Sequence, residues 1–236
     1  MTASEDEADV DAEAVAFTAP VIADEARFHA DTCFRDAVFA SATSFDGAEF
    51  RGDANLIDDD VCFEDATFEA GASFRKAKFR YANFTECCFG ADADFDEATF
   101  AGDAEFAGAA FDGQASFRGA TFEGDADVLV DDADFSEVTF GDVVDFDRAT
   151  FGLGRFEDAT FADDANFSDV RFDDDAVFSG VTVSGSVTLT EARFRSDVDA
   201  SALSVAQSLV GRGAEFHGGD NIEDADASFA DADIGA

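Results

Sequence analysis

Few residues of this 236-residue chain carry the side chains that most often perform catalysis or bind transition metals. The candidates are four cysteines and two histidines: Cys33, Cys62, Cys87, Cys88, His29 and His217. A zinc site or a thiol nucleophile needs such groups clustered, for example as a CxxC pair or as a nucleophile with an adjacent base. The spacing offers neither arrangement. We therefore expect no catalytic residue, no metal site, no cofactor and no disulfide scaffold, and we expect the chain not to be an enzyme.

Carboxylates are so abundant that two acids lying close together carry little information. The chain has 55 Asp and Glu residues against 14 Lys and Arg residues, and a formal charge of -41. The run Asp58, Asp59 and Asp60 supplies oxygen ligands of the kind that hard cations prefer. The same run is also typical of a solvated acidic loop, which is the interpretation that we favour.

The charge and the composition exclude several classes of protein. A basic nucleic-acid binder is excluded because phosphate would be repelled along most of this surface. No run approaches the roughly 18 apolar residues of a membrane helix. The segment Met1 to Glu13 holds six acids and no base, unlike the basic start of a signal peptide. We expect a soluble, cytoplasmic protein with no membrane contact and no direct nucleic-acid binding.

The strongest pattern in the sequence is the spacing of its 30 phenylalanines. Between Phe28 and Phe194 we place 31 large apolar residues, of which 27 are Phe, and call them centre residues. The gaps between them are mostly five or six residues in alternation, with two gaps of seven. The exceptions to Phe are Leu56, Val128, Val183 and Leu189.

A second column of residues supports the strand interpretation. The residue two before each centre is small, and in 21 of the 31 cases it is Ala. Side chains two apart point the same way on a strand. A helix with this 11-residue repeat would place Phe100 and Ala98 about 200° apart, with no single apolar stripe.

Triplets such as Ala98-Thr99-Phe100, Ala120-Thr121-Phe122 and Ala159-Thr160-Phe161 resemble the pentapeptide-repeat family, in a Phe-rich form with an interleaved sixth residue. The resemblance implies an all-β fold, a right-handed quadrilateral β-helix of about eight coils. Centre residues would stack inside, so Phe100, Phe111, Phe122 and Phe161 should be buried. The sixth residues, among them Gly102 and Gly113, would lie at corners.

The pattern divides the chain into three parts. Residues 1–14 are predicted to be a disordered acidic tail, residues 15–194 the β-helix, and residues 195–236 degenerate coils or a capping segment. Phe17 and Ile22 extend the spacing backwards. Residues 201–210 could be a short capping helix or degenerate coils, and an apolar end coil could form a homodimer. We expect a monomer or such a terminal-coil homodimer.

Counting the sides in fours assigns outward residues to faces. It places His29, Arg51, Arg75 and Arg118 on one side, together with Thr139, Thr160 and Thr182, and it places Arg35, Lys78 and Arg80 on the next. Such positive residues would either be neutralised by neighbouring acids or contact an anionic partner. Three threonines are too few for an ice-binding face.

The same count places the cysteines. Cys87 should face inward, and Cys33, Cys62 and Cys88 outward on three different sides, without pairing.

Two hypotheses for the function remain. The first is a non-enzymatic protein-binding or scaffold module whose acid content is an adaptation to high salt, since like-charge repulsion is screened at molar ionic strength. The second rests on the resemblance, because some pentapeptide-repeat proteins are acidic rods that occupy the DNA-binding surface of DNA gyrase. The alternative is therefore a DNA mimic that binds DNA gyrase or another DNA-binding protein through an acidic face.

Overall fold

The computed structural model describes residues 9–52, 61–124, 133–217, 227–228 and 232–234. Every regular element in these ranges is a two-residue β-strand, and no helix occurs among them. Accordingly, the described ranges hold no helix that is long and apolar enough to cross a membrane.

The strands form four parallel sheets, which we call faces 1 to 4. Face 1 contains β1 (Val10–Asp11), β5 (Thr32–Cys33), β9 (Val61–Cys62), β13 (Ala82–Asn83), β17 (Ala104–Glu105), β21 (Ala133–Asp134), β25 (Gly154–Arg155), β29 (Ala176–Val177), β33 (Val198–Asp199) and β37 (Ala227–Ser228). Face 2 contains β2 (Ala16–Phe17), β6 (Val38–Phe39), β10 (Thr67–Phe68), β14 (Cys88–Phe89), β18 (Ala110–Phe111), β22 (Thr139–Phe140), β26 (Thr160–Phe161), β30 (Thr182–Val183), β34 (Ser204–Val205) and β38 (Asp233–Ile234). Face 3 contains β3 (Val21–Ile22), β7 (Thr43–Ser44), β11 (Ala72–Ser73), β15 (Ala93–Asp94), β19 (Ala115–Ser116), β23 (Val144–Asp145), β27 (Ala165–Asn166), β31 (Val187–Thr188) and β35 (Leu209–Val210). Face 4 contains β4 (Arg27–Phe28), β8 (Glu49–Phe50), β12 (Lys78–Phe79), β16 (Thr99–Phe100), β20 (Thr121–Phe122), β24 (Thr150–Phe151), β28 (Arg171–Phe172), β32 (Arg193–Phe194) and β36 (Glu215–Phe216).

Each strand pairs with the strands four before and four after it, so four strands make one coil. Every face has nine or ten described strands, which corresponds to about nine turns. The predicted quadrilateral β-solenoid is therefore confirmed. A strand of two residues has no stability alone, and it is the backbone hydrogen bonds to the coils above and below that hold it.

Four columns of phenylalanine fill the interior. Phe111, for example, stacks on Phe89 with ring centroids 4.6 Å apart and on Phe140 at 5.0 Å. Neighbouring columns meet edge to face, as Phe84 and Phe95 do at 5.5 Å and 90°. Both arrangements suit the quadrupole of an aromatic ring. The predicted burial is confirmed, because Phe100, Phe111, Phe122 and Phe161 are at most 1% exposed.

The alternation of five- and six-residue gaps reflects two kinds of corner. Between faces 1 and 2, and between faces 3 and 4, a tight turn follows the centre residue. In one such turn the N–H of Ala98 donates to the carbonyl of Phe95 at 3.0 Å, and Glu97 has φ 58°. That positive φ is the signature of a type II turn.

The other two corners hold the sixth residue. Gly102 and Gly113 lie at such corners, as predicted. A Cβ on Gly102 would come within 2.5 Å of the carbonyl oxygen of Arg80 in the preceding coil, so only glycine fits there.

The structure corrects the predicted count of sides. Phe50 lies on face 4 and Phe63 on face 1, the next face, so the chain advances by one side between them, not by two. The same holds for Phe122 and Phe135. In consequence 29 described strands, β4 to β32, span the stretch for which 31 sides were predicted. Leu56, Val128 and the run of Asp58, Asp59 and Asp60 lie outside the described residues.

The N-terminal end of the array differs from the prediction, and at the C-terminal end the structure decides between the two predicted alternatives. β1 lies within residues 1–14 and pairs with β5, so the coils begin before residue 15. Ile22 is 73% exposed, and Ala23 takes the centre position beside it. Residues 201–210 contain β34 and β35, which are strands and not a capping helix, and the coils continue past residue 194 to β36.

Candidate partner-binding surfaces

The side count also determines which outward residues share a face, and several predicted columns are wrong. Arg75 and Arg118 follow centres on face 3, whereas His29 and Arg51 follow centres on face 4. Arg35 follows a centre on face 1. The error comes from counting one side too many between Phe50 and Phe63. Thr139, Thr160 and Thr182 are register partners as predicted, but they lie on face 2.

The left-handed turn positions at the corner between faces 1 and 2 carry charge of one sign only. Five of its left-handed turn positions hold exposed acids, which we call the edge carboxylates: Asp36, Asp65, Glu86, Glu137 and Asp158. The other four positions of this corner hold Ala14, Gly108, Gly180 and Ala202. None of the edge carboxylates forms an ion pair within the described ranges. The left-handed positions therefore present a line of solvated carboxylates, and Arg35, the base beside Asp36 in the same turn, pairs with Glu64.

The equivalent corner between faces 3 and 4 has mixed charge. Its left-handed positions hold the acids Glu25, Glu97, Asp169 and Glu191, but also Lys76 and Arg148. Lys76 Nζ lies 3.6 Å from Glu97 Oε2 in the next coil. Arg148 Nε donates a hydrogen bond to Asp147 Oδ2 at 2.9 Å, and this contact raises the pKa of Arg148. The two opposite corners of the rod therefore differ in charge although their backbones are alike.

Face 4 carries the densest group of bases. Glu49 lies in register between Arg27 and Lys78. Its carboxylate is 2.6 Å from Arg51 Nη2, 3.4 Å from Lys78 Nζ and 3.6 Å from Arg27 Nε. The hydrogen bonds from Arg51 and Lys78 lower the pKa of Glu49. One acid thus faces three bases, so this part of face 4 is positive.

A second basic group lies at the other end of face 4, where the sequence did not predict one. Asp173 pairs with Arg171 and, at 3.0 Å, with Arg195. Arg193 Nε lies 3.7 Å from Glu215 Oε2. Positive charge therefore occurs toward both ends of face 4.

Face 2 is nearly neutral. From β2 to β34 its outward strand residues are all uncharged: Ala16, Val38, Thr67, Cys88, Ala110, Thr139, Thr160, Thr182 and Ser204. In a chain with a formal charge of -41, this distribution shows that acids are not spread evenly around the rod.

The cysteines and histidines, the candidates for catalysis and metal binding in the sequence, do not gather at one place in the fold. Cys87 is buried at a small inward position, as predicted, and burial raises its pKa well above the ordinary value. His29 and His217 follow the first and last centres of face 4, and His217 Nε2 lies 3.2 Å from Glu215. Within the described ranges, no cluster of three or more His, Cys, Asp or Glu residues could hold a metal ion.

One pair of thiols was missed. Cys33 and Cys62 are register partners on adjacent strands of face 1, not residues of different sides. The separation of 29 positions in the sequence hid this contact, because the side count placed the two residues on different faces. A count that took Phe50 and Phe63 as successive centres would have found it.

Comparison with known proteins identifies the repeat. The model of the family "Pentapeptide repeats (9 copies)" matches residues 57–99, 89–128 and 130–171. No curated protein matches the chain. One solved structure that it resembles is a trypsin-treated variant of QnrB1, a plasmid-mediated fluoroquinolone resistance protein. The identity is 14%, the match covers 96% of this chain and 88% of that chain, and the TM-score is 0.28.

Proposed function

The chain belongs to the pentapeptide-repeat family, and from that premise we propose that it is a non-enzymatic scaffold that binds a protein partner in a high-salt cytoplasm. The observation that carries the proposal is the line of edge carboxylates, Asp36, Asp65, Glu86, Glu137 and Asp158. They are exposed and unpaired within the described ranges, while bases gather on face 4.

The rod also provides what a binding surface needs mechanically. Successive coils repeat at about 4.8 Å, the spacing of paired strands. Charges at one corner are therefore held in a fixed line by backbone that is bonded on both sides. A partner with a basic strip of matching spacing would meet a preorganised surface, and preorganisation lowers the entropic cost of binding.

A pair of matched variants tests the binding surface. The first converts four edge carboxylates to amides: Asp65→Asn, Glu86→Gln, Glu137→Gln and Asp158→Asn. The second converts the four acids of the opposite corner: Glu25→Gln, Glu97→Gln, Asp169→Asn and Glu191→Gln. Both change the net charge by the same amount.

The readout is the set of proteins that tagged wild type and both variants retain from a lysate in molar KCl. We expect the edge variant to lose a partner that the wild type and the opposite-corner variant both retain. Equal retention by all three proteins would contradict the assignment of the binding surface to the edge carboxylates.

The alternative, DNA mimicry, draws on the same corner. Along the helix axis of B-DNA each strand carries one phosphate per about 3.4 Å, whereas the rod carries at most one edge carboxylate per about 4.8 Å of its length. A supercoiling assay with DNA gyrase in molar KCl tests this alternative. Inhibition by wild type and by the opposite-corner variant, but not by the edge variant, would favour mimicry. Equal gyrase supercoiling activity in all reactions would contradict mimicry, and the scaffold function would remain as the proposal.

A further inference from the structure

Cys33 and Cys62 lie side by side on the outside of face 1. They are direct register partners on the adjacent parallel strands β5 and β9. The preceding residues, Thr32 and Val61, are at most 1% exposed and point into the rod. Because successive side chains of a strand point to opposite faces, both sulfur atoms lie on the outer side of the same coil step.

The strand spacing restricts what can join these two sulfurs. Paired strands are about 4.8 Å apart, and the Cβ atoms of in-register parallel partners follow that spacing. A disulfide needs Cβ atoms about 3.5–4.5 Å apart, so it would require the two coils to approach. A linear bridge with two metal–sulfur bonds about as long as a zinc–thiolate bond, 2.3 Å each, holds its sulfurs about 4.6 Å apart. That distance matches the coil repeat without movement of the backbone.

We propose that Cys33 and Cys62 form a two-coordinate site for a soft monovalent metal ion such as Cu(I). Thiolate sulfur is the ligand type that selects Cu(I). The many carboxylates of this surface suit hard cations instead and do not compete for a soft ion. On binding, each thiol releases its proton to solvent and the metal keeps its oxidation state. Two thiolates and one monovalent cation leave the bridge with a single negative charge.

A cation that can balance this charge is already in place. Arg35 follows Cys33 by two residues, and Glu64 follows Cys62 by two residues. Arg35 Nη2 lies 2.6 Å from Glu64 Oε2, so their ion pair spans the same coil step as the two thiols. The guanidinium therefore lies beside the bridge. Cys62 is only 6% exposed, which restricts the approach of a third ligand from solvent.

The test uses the full-length protein, titrated with Cu(I) under anaerobic conditions in molar potassium acetate. A coloured Cu(I) chelator competes for the metal, and its absorbance reports how much copper the protein withholds. We expect wild type and the control Cys88→Ser to withhold one Cu(I) per chain. Cys33→Ser and Cys62→Ser should each bind at least tenfold more weakly, with unchanged circular dichroism.

Four results would overturn the proposal. Binding by Cys33→Ser and Cys62→Ser that equals wild type would place the metal elsewhere, and so would loss of binding in Cys88→Ser. X-ray absorption of the copper-loaded protein should show two sulfur neighbours, and three or more would contradict two-coordination. Finally, treatment of the metal-free protein with glutathione disulfide should leave Cys33 and Cys62 unjoined. A high yield of the Cys33–Cys62 disulfide in peptide mapping would show that the spacing argument fails.

Discussion

The Oδ1 atom of Asp96 accepts a hydrogen bond from the backbone N–H of Arg118, which lies 3.1 Å away in the next coil. The same oxygen accepts from Ser116 Oγ at 2.5 Å. Asp46 makes the equivalent pair of contacts earlier in the array, with the N–H of Arg75 and with Ser73 Oγ. Some of the acids therefore join one coil to the next, in addition to any effect that they have on solubility.

Substitution of Asp96 separates this bonding role from its charge. Asp96→Asn keeps an oxygen that can accept from the N–H of Arg118, whereas Asp96→Ala leaves the donors of Arg118 and Ser116 without it. We expect Asp96→Ala to lower the free energy of unfolding by about 1 kcal/mol, and Asp96→Asn to lower it by less. Thermal unfolding in molar KCl measures both. Equal losses would show that the charge of Asp96 matters more than its hydrogen bonds.

The phenylalanine columns predict a large effect of truncation in the middle of the rod. Phe111 is 1% exposed and stacks on Phe89 and Phe140. Phe111→Ala should destabilise the protein by about 3–5 kcal/mol through lost contacts and the cavity that remains. Phe111→Asp should cost more, since it buries an unpaired charge. Phe216→Ala, at a 44% exposed position in the last complete coil that the structure describes, is the control and should cost clearly less. A Phe111→Asp protein that melts like wild type would show that the register is wrong.

The C-terminal coils contain a packing defect that can be repaired. An apolar cavity of about 40 Å³ lies among residues that include Phe161, Val183, Leu189 and Phe194. It occurs where the centre residue changes from Phe161 to the smaller Val183 in the same column. At about 24 cal/mol per Å³, a filled cavity of this size is worth about 1 kcal/mol.

Val183→Phe should therefore raise the free energy of unfolding by about 1 kcal/mol. Ala159→Phe is the control, because Ala159 is fully buried at a small position and has no such space. The control should be destabilised through overpacking. Chemical denaturation in molar KCl gives both values. A destabilised Val183→Phe protein would mean that the column cannot accept another ring at this level.

The periodicity of Phe and Ala was sufficient to predict the fold, because it is a direct record of which side chains face inward. Absolute position on the four faces was not predictable from it. Leu56 looked like a centre residue by type and spacing, and counting it moved the later residues by one face. Counting Val128 in the same way moved the residues after it by a second face. Arg75 was consequently grouped with Arg51, although the two lie on faces 3 and 4.

The candidate surfaces were less predictable than the core, since they depend on that absolute position. The contact between Cys33 and Cys62 joins residues of different coils, and no local pattern marks it. The exposed line from Asp36 to Asp158 was hidden for a different reason. It consists of acids in a sequence that is acidic nearly everywhere, and only the turn geometry distinguishes its members from acids such as Asp96 that bond to the next coil.

Salt dependence provides the test of the proposed adaptation to high salt. The chain has 55 acids and only 14 Lys and Arg residues, for a formal charge of -41, so most of the acids have no base to pair with. Self-repulsion destabilises a compact state at low ionic strength, and a Debye length of about 3 Å at 1 M salt screens it. We expect the far-UV circular dichroism of the folded rod in molar KCl to be lost on dialysis into dilute buffer and recovered when KCl is restored.

The eight-acid variant that combines the substitutions of both corners should stay folded to lower salt than wild type, because repulsion between its coils is weaker. A wild-type rod that persists unchanged in dilute buffer would show that hydrogen bonds such as Asp96 to Arg118, together with the Phe columns, outweigh the repulsion.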